Sequence, residues 1–450
     1  MAERYDVVVV GARCAGAPLA TFLARGGMAV AAVDRATFPS PAASTHLFQA
    51  EGIRVLDRLG VVDELLAAGA PWVEQAYLRV DDLELSCPWP TRPADRGGFL
   101  GVRREVLDTL LVAAAEAAGV DVRQGTRFLD VVRVEDRVVG ARVVGPGGVE
   151  EELWAQVVVG ADGRYSAVAR AVGSRTYHEV PNERFGTWAY FRGVDPGGPA
   201  TVEFHRLAGD FLIAAPVDAG LFLVIAVPPL ERLGALTADR EAGFAAELAR
   251  CPALEARVAG TERIGPVNVV SDYPGYFRES AGPGWALVGD AGHFKDPTPG
   301  QGISDALRQA ERLAEALLDA GARGPDATDG ALRRWATWRD RDALEVHWLA
   351  HDLGKAGRPP RVFVELARKL FAEPDGPRRF FDVLNHRVRP SQVLTPVRLA
   401  GATSRMLRRG EPAGEVLSEV ADLVRTDLRR RWRNRRPPEA VLGAAGAAAG

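Results

Sequence analysis

"DVVVVGARCAGAPLATFLARGGMAVAAVD", residues 6–34, is the stretch that decides the fold. It begins with a valine run typical of a buried strand, passes through a glycine-containing turn into an apolar helix, and ends in a second strand at Asp34. A strand, loop, helix and strand within so short a span open a doubly wound parallel sheet. We therefore predict an α/β protein whose sheet starts at the N-terminus.

The turn carries a degenerate dinucleotide-binding motif, Gly11-x-Arg13-x-x-Gly16. In that motif the first glycine makes the tight turn, the second lets the backbone approach the pyrophosphate, and the third lets the helix pack on the strand. The phosphates lie at the helix N-terminus, and Asp34 is placed to accept hydrogen bonds from the adenosine ribose. Arg13 replaces the second glycine, so it either crowds the pyrophosphate or binds it through the guanidinium. We interpret the segment as a dinucleotide site rather than a structural turn.

Composition excludes several classes of protein. The hydrophobic fraction of 47% and the charged fraction of 26% are typical of soluble globular chains, and a net charge of −3 argues against nucleic acid as a partner. Cys14, Cys87 and Cys251 are too few for a disulfide framework or a structural zinc site, so we expect no metal and a reducing cytoplasm. The apolar stretch 211–230 is interrupted by Asp-Ala-Gly and prolines, which favours two strands over a membrane span.

Two further motifs follow buried strands. "VVVGADGRYSAVARAVG", residues 157–173, contains Asp162-Gly163, and "WALVGDAGHFKDPTPGQGIS", residues 285–304, contains Gly289-Asp290 before an amphipathic helix. With the N-terminal turn, these motifs resemble the class A flavoprotein monooxygenases of the p-hydroxybenzoate hydroxylase fold, a superfamily with halogenases and geranylgeranyl reductases. The resemblance covers roughly residues 5–330. It indicates the superfamily but no substrate.

The resemblance implies an FAD cofactor. Its pyrophosphate would lie at Gly11 and Gly16, the adenosine ribose at Asp34 and the ribityl chain at Asp290. Arg104, in "RREVLD", would reach the phosphate or ribityl region, Phe128 would place backbone beside the adenine, and Asp162 belongs to a motif associated with FAD and NAD(P)H. The full set of predicted cofactor contacts is Gly11, Arg13, Cys14, Ala15, Gly16, Asp34, Arg35, Arg104, Phe128, Asp162, Gly163, Gly289, Asp290, Gly300, Gln301, Gly302 and Ile303.

The start of the helix after Gly300 suits a flavin on physical grounds as well. Reduction puts negative charge on the N1/C2=O edge of the ring, and a helix N-terminus supplies free N–H groups and the positive dipole end. Gly300 and Gly302 let backbone approach a flat ring. By resemblance, Pro297 and Gln301 would also line the isoalloxazine.

We predict a Rossmann-like, three-layer FAD-binding domain with a parallel sheet, an inserted antiparallel-sheet substrate domain and a helical C-terminal extension. The FAD-binding domain is expected in three parts, the substrate domain in two, and a disordered tail at the end. The boundaries are 1–80, 99–174 and 278–330 for the FAD-binding parts, 81–98 and 175–277 for the substrate domain, 331–436 for the helical region and 437–450 for the tail. The arginine-rich run 425–436 is interpreted as a solvated surface.

Aromatic residues of the substrate domain predict an apolar pocket for a flat organic molecule. The pocket candidates are Trp188, Tyr190, Phe204 and Tyr273, although each could instead only pack the sheet. His46 could contact the flavin or the substrate, or only a neighbouring loop, and a covalent histidyl link to the flavin is a further alternative.

The catalytic candidates are His46, Lys295 and Pro297. The Lys295-Asp296 pair departs from the family pattern. It could bind a substrate carboxylate, stabilise a hydroperoxide or form a salt bridge. His293 matches the family's G-D-A-x-H pattern and is expected to orient the loop rather than act as a base.

The leading hypothesis is an NAD(P)H-dependent monooxygenase that uses O2 and a flavin C4a-hydroperoxide to hydroxylate an aromatic or polyketide-like molecule. A second is a reductase of carbon–carbon double bonds, and a third is a non-redox FAD-bound protein that binds or cyclises a metabolite. A halogenase is disfavoured because the sequence has no W-x-W-x-I-P stretch and no pocket lysine at the usual place after the first glycine loop. NAD(P)H would bind near Asp162, or a separate reductase would supply reduced flavin, because no second glycine-rich turn opens another nucleotide site.

Overall fold

The computed structural model describes residues 3–42, 47–321 and 323–434; His46 and the tail predicted at 437–450 lie outside them. The strands are β1 (Glu3–Val10), β2 (Val30–Asp34), β3 (Leu47–Gln49), β4 (Gln75–Val80), β5 (Leu83–Pro88), β6 (Phe99–Gly101), β7 (Asp121–Gln124), β8 (Arg127–Val134), β9 (Arg137–Val144), β10 (Glu150–Gly160), β11 (Thr176–Val180), β12 (Gly186–Arg192), β13 (Thr201–Leu207), β14 (Asp210–Val217), β15 (Leu221–Ala226), β16 (Glu262–Val270), β17 (Gly275–Arg278), β18 (Ala281–Gly282), β19 (Trp285–Leu287) and β20 (His293–Phe294). The helices are α1 (Gly16–Arg25), α2 (Ala50–Leu59), α3 (Val62–Ala67), α4 (Arg104–Ala117), α5 (Ala167–Ala171), α6 (Leu233–Ala238), α7 (Arg240–Leu248), α8 (Pro252–Val258), α9 (Gly302–Ala320), α10 (Pro325–Gly354), α11 (Arg361–Phe371), α12 (Gly376–Leu384), α13 (Pro390–Val393), α14 (Pro396–Arg408) and α15 (Ala413–Asn434).

The first sheet is parallel, with strand order β19-β10-β1-β2-β7, and β18 pairs antiparallel at one edge. Val7 and Val9 of β1 pack into the core with α1, α4 and α9. Val8 and Val10 pack on the opposite face, with the β8–β9 hairpin and α5. Because both faces are covered, the strand is a continuous valine run rather than an alternating one. The predicted α/β fold class is confirmed.

The second sheet has strand order β16-β12-β15-β14-β13-β4-β5 and is antiparallel except for the β13–β4 pair. One face packs against α7 and α8 through Phe244, Leu248 and Leu254. The opposite face packs in part against Phe381 and Leu384 of α12. The apolar stretch at 211–230 forms β14 and β15 around a turn, as expected for two strands.

The start of this sheet differs from the boundary predicted between residues 80 and 81. β4 pairs with β5 and with β13, so the unit already includes Gln75–Val80. Asp81, at φ 51°, lies in the hairpin turn between β4 and β5. A polar turn within a hairpin and a turn between domains have the same composition, so this boundary could not be resolved without the pairing.

The C-terminal helices contact both sheet systems. α10 packs on α9, and the backbone at its C-terminal end and just beyond it accepts hydrogen bonds from two buried arginines of the second sheet system. Arg184 donates to the Lys355 carbonyl at 2.9 Å, and Arg206 donates to the Leu353 and Lys355 carbonyls at 2.7 and 2.8 Å. Burial lowers the pKa of Arg184, and it lowers the pKa of Arg206 to about 10.

Over the described ranges, the structure contains no helix with the length and apolar character needed to cross a bilayer.

Candidate active site

A cavity of about 710 Å³ extends from the β1–α1 turn to the second sheet. It opens at the carboxyl ends of the parallel strands, where α/β sheets bind their ligands. Most of the predicted cofactor contacts line it. They are Gly11, Arg13, Cys14, Ala15, Asp34, Arg35, Arg104, Phe128, Asp162, Gly163, Gly289, Asp290, Gly302 and Ile303.

Three predicted cofactor contacts, Gly16, Gly300 and Gln301, are not among the residues that line this cavity. Gly16 instead allows close packing, because a Cβ there would lie 1.7 Å from the Gly11 carbonyl oxygen. Gly300, at φ 66°, has the left-handed conformation that favours glycine. The Gln301 side chain points to α12, where it donates to the Leu384 carbonyl at 2.9 Å.

The β1–α1 turn is shaped for close approach of a ligand to backbone. Gly11 has φ 99°, and a Cβ there would lie 2.4 Å from the Ala161 carbonyl oxygen. Asp34 accepts from the Ala12 N–H at 2.9 Å and from the Ala36 N–H at 2.8 Å, which fixes its carboxylate at the end of β2. The turn and α1 thus place N–H donors and a carboxylate acceptor at one end of the cavity. This combination suits the phosphates and the ribose of a dinucleotide.

Asp108 organises this end of the cavity and was missed as a site residue, although it closes the quoted "RREVLD" motif. It is fully buried and accepts from Arg104 at 2.9 Å and from Arg13 at 2.8 Å. The Cys14 thiol lies 3.3 Å from its other oxygen. Burial raises the pKa of Cys14, so the thiol stays protonated and packs as a small residue. Arg13 also donates to the Ser40 hydroxyl at 2.9 Å, so its guanidinium is held at the cavity wall.

Two carboxylates mark the ends of neighbouring strands. Asp162 follows β10 and accepts from the Ala167 N–H at 2.6 Å, which caps α5. Its other carboxylate oxygen, Oδ1, is buried with no hydrogen-bond partner among the described residues, and burial raises the pKa of the group. Asp290 follows β19, and burial raises its pKa to about 6. A ligand with hydroxyl groups in the cavity would supply the donors that these carboxylates lack.

The loop before α9 is held by a buried ion pair between Lys295 and Asp305. His386 lies 2.8 Å from the other oxygen of Asp305, so the carboxylate contacts one cation and one imidazole. Burial disfavours the charged form, yet Lys295 and His386 together lower the pKa of Asp305 well below its usual range. The Lys295 partner is therefore in the first turn of α9, and the lysine lines the cavity together with Pro297.

Asp296 has different partners from Lys295. Its Oδ1 accepts from the Thr298 N–H at 2.9 Å and from the Thr298 hydroxyl. Its Oδ2 lies against the last residue of α10, since a Cβ on Gly354 would come within 2.1 Å of it. Burial raises the pKa of Asp296 to about 6. The adjacent charges of the sequence thus belong to separate clusters.

Of the predicted pocket residues, Trp188 and Tyr273 line the cavity, and Tyr190 and Phe204 do not. Tyr190 and Phe204 are partly buried against the core between the second sheet and α12. His293 lines the cavity and packs against Phe277, with the ring centroids 4.2 Å apart and the ring planes tilted by 38°. Burial lowers the pKa of His293 well below its usual value, which suits a neutral, packed ring.

In the part of the chain that the structure describes, no group of three or more His, Cys, Asp or Glu side chains is arranged to hold a metal ion.

The comparisons with known proteins agree with this geometry. Residues 4–222 match the FAD binding domain family. A menaquinone reductase from Mycolicibacterium smegmatis is 30% identical over 341 residues, which cover 71% of this chain and 78% of that protein. A kynurenine 3-monooxygenase from Salinispora tropica is 29% identical over 351 residues, which cover 70% of this chain and 73% of that protein. The solved structure of the flavin-dependent brominase Bmp2 has a TM-score of 0.76 at 19% identity, covering 90% of this chain and 100% of that one, a likeness in fold alone.

Fold and cavity together define a flavoprotein with a parallel FAD-binding sheet and a second sheet facing the cofactor cavity. The chain belongs to the superfamily of FAD-dependent oxidoreductases that contains monooxygenases, reductases and halogenases. It is an FAD-dependent enzyme, and the resemblance predicted from its three motifs is confirmed.

Proposed function

We propose that the enzyme is an NAD(P)H-dependent monooxygenase that hydroxylates an aromatic or polyketide-like small molecule. The observation that carries the proposal is the continuous cavity. One end is lined by the β1–α1 turn and by polar side chains suited to a dinucleotide, and the other end is lined by apolar side chains of the second sheet. An apolar substrate that fills the second-sheet end would displace water from the reaction. When bound and reduced, FAD would activate O2 and supply one oxygen atom to the substrate.

The chain's residues would divide the work of binding FAD. Backbone around Gly11 would hold the pyrophosphate, Asp34 the adenosine ribose and Asp290 the ribityl chain. The first turn of α9 would approach the ring, where its free N–H groups and positive dipole end favour the negative charge of the reduced flavin. Burial raises the pKa of Asp290, and Arg104 lies close enough to oppose part of that rise, so it would also contribute positive charge beside the cofactor.

NAD(P)H is proposed to reduce the flavin after docking near Asp162, which lines the same cavity and precedes the exposed Tyr165. A separate reductase is the alternative source of electrons. Spectra distinguish them, because anaerobic NAD(P)H alone should bleach the flavin absorbance in the first case.

Reduction of a carbon–carbon double bond is the second candidate. It is favoured by the 30% identity to a menaquinone reductase, a level just above that to the kynurenine monooxygenase. The FAD cavity and the electron donor would be shared, so the two candidates are distinguished by O2 consumption and by whether the product gains an oxygen atom or two hydrogen atoms.

The test is to measure NAD(P)H oxidation, O2 uptake and product mass with the FAD-loaded enzyme against phenols and polycyclic aromatics. A monooxygenase consumes NAD(P)H and O2 in equal amounts and adds one oxygen atom from 18O2 to the product. A product that has gained two hydrogen atoms and no oxygen, formed without O2 uptake, supports the second candidate instead. Gly11→Ala should abolish FAD loading, because its Cβ would clash with Ala161, whereas the matched control Gly145→Ala, with no atom within 4 Å of its Cβ, should load normally.

A further inference from the structure

The end of the cavity farthest from the β1–α1 turn is a largely apolar chamber. Its walls come from strands of the second sheet and face the loop that precedes α9. The apolar side chains that line it are Trp188, Ile213, Ile225, Val227 and Val270. Walls of this kind bind a flat apolar molecule but give it no fixed orientation. Orientation requires a hydrogen bond. Lys295 and Thr298 also line the cavity, but Lys295 is paired with Asp305 and the Thr298 hydroxyl donates to Asp296. Tyr273 and Asp296 are therefore the groups that we consider for this role.

The first of these groups is the Tyr273 hydroxyl. The residue is 1% exposed, and the hydroxyl has no hydrogen bond to any described residue. Burial raises the pKa of Tyr273, so the hydroxyl remains protonated and able to donate. An unpartnered buried hydroxyl costs free energy that a bound acceptor would recover.

Asp296 is the complementary acceptor. It is 9% exposed, and the hydrogen bonds from Thr298 both reach Oδ1. The neighbouring guanidiniums do not neutralise it by direct contact, because Arg184 and Arg206 donate to backbone carbonyls of residues 353–357, 209 and 227 and form no ion pair with it. A carboxylate in an apolar chamber without an ion-pair partner attracts a ligand that donates a hydrogen bond.

We propose that Tyr273 and Asp296 form a polar subsite that binds a hydroxyl group on an otherwise apolar, flat substrate. The hydroxyl donates to the Asp296 carboxylate and accepts from the Tyr273 hydroxyl. This assignment rests on the proposed function, since it takes the apolar chamber as the substrate compartment. A ring whose hydroxyl donates to a carboxylate gains electron density, which favours transfer of an electrophilic oxygen to carbon.

The experiment compares two probes that differ only in the hydroxyl hydrogen. Equilibrium dialysis measures the affinity of the FAD-loaded enzyme for 2-naphthol and 2-methoxynaphthalene, without NAD(P)H. We expect 2-naphthol to bind about 10-fold more tightly, which is the effect of a hydrogen bond to a charged group. In Asp296→Asn and in Tyr273→Phe, this preference should fall to within about 3-fold, while naphthalene affinity stays unchanged.

Equal affinity for the two probes, absence of binding by both, or a preference that persists in both variants would overturn the subsite. Tyr273→Phe removes one oxygen and preserves the ring, so it remains informative if Asp296→Asn does not fold. The outcome is separable from the proposed function. An enzyme that incorporates oxygen but shows no hydroxyl preference loses only the subsite, and one that shows the preference but incorporates no oxygen loses only the monooxygenase assignment.

Discussion

Lys295 and Asp305 form a buried ion pair between the loop before α9 and the first turn of that helix. The lysine is 4% exposed, and the carboxylate is shared with His386, which lies in the C-terminal region just after α12. The pair therefore connects three segments that are distant in sequence at one wall of the cavity. Its two charges are both buried, so removal of either one leaves the other without its main compensation.

Lys295→Met should destabilise the protein by about 3 kcal/mol, because it leaves the Asp305 carboxylate buried with only an imidazole partner. Urea unfolding at pH 7 measures the loss. Lys369→Met is the matched control: this lysine is exposed, and its replacement should change stability by less than about 0.5 kcal/mol. Equal effects of the two substitutions would contradict the structural role of the pair.

Asp108→Ala should weaken both folding and FAD loading. The substitution removes the shared acceptor of Arg13 and Arg104, and we expect a loss of about 3 kcal/mol in the free energy of unfolding. Asp427→Ala removes an exposed i,i+4 partner of Arg431 and should cost less than about 0.5 kcal/mol. Flavin absorbance after gel filtration reports loading, and full loading of the Asp108→Ala protein would show that Asp108 does not organise the cofactor end.

Asp290→Asn should stabilise the FAD-free protein near neutral pH. Burial raises the folded-state pKa to about 6 from the ordinary value of 3.8, so the stability associated with the neutral carboxyl is complete below pH 3.8 and is lost as the pH rises through 6. The variant should exceed the parent by on the order of 1–3 kcal/mol at pH 7.5, with a smaller difference at pH 5. Thermal unfolding of both FAD-free proteins at the two pH values provides the measurement. A constant difference would contradict the pKa assignment.

Gly354→Ala should disturb the substrate end through Asp296. The added Cβ would lie 2.1 Å from Oδ2, so either the carboxylate or the end of α10 must move, at a cost of about 1–3 kcal/mol. Gly330→Ala, in the same helix, meets only the flexible end of Arg334 at 3.3 Å and should be neutral or stabilising by up to about 1 kcal/mol. Denaturant unfolding of both variants tests the contrast, and a neutral Gly354→Ala would place the Asp296 carboxylate elsewhere.

The parts of the fold that depend on local pattern could be predicted from the sequence. The valine run at β1, the glycine spacing after it and the acid at the end of β2 each follow from interactions between residues near in the chain. The three motifs then indicated the superfamily. They also indicated that the cofactor lies at the carboxyl ends of the strands that they follow. Contacts across long sequence separations were not predictable in this way. Asp108 meets Arg13 over 95 residues, and no local pattern specifies that meeting.

The substrate end was harder to predict for related reasons. Lys295 and Asp296 looked like one pair, but neighbouring side chains in an extended segment point to opposite sides and acquire different partners. Trp188 and Tyr190 share a face of β12, yet only Trp188 reaches the cavity, because successive residues on one face lie about 7 Å apart. Phe204 is on β13, and two strands separate β13 from β12 in the sheet, an order that only the pairing reveals.

The hydrogen bonds from Arg184 and Arg206 to the backbone at the C-terminal end of α10 and just beyond it limit how this enzyme can be recombined with its relatives. A chimera that exchanges the C-terminal helices would keep both arginines with the second sheet of this enzyme. The backbone carbonyls that accept their hydrogen bonds would come from the relative. The backbone acceptors of Arg206 would then all be altered, whereas Arg184 would keep only those at Val227 and Gly209. Successful exchange therefore requires that these arginines and the 353–357 segment come from the same parent protein. The segment to be exchanged thus extends across the apparent domain boundary.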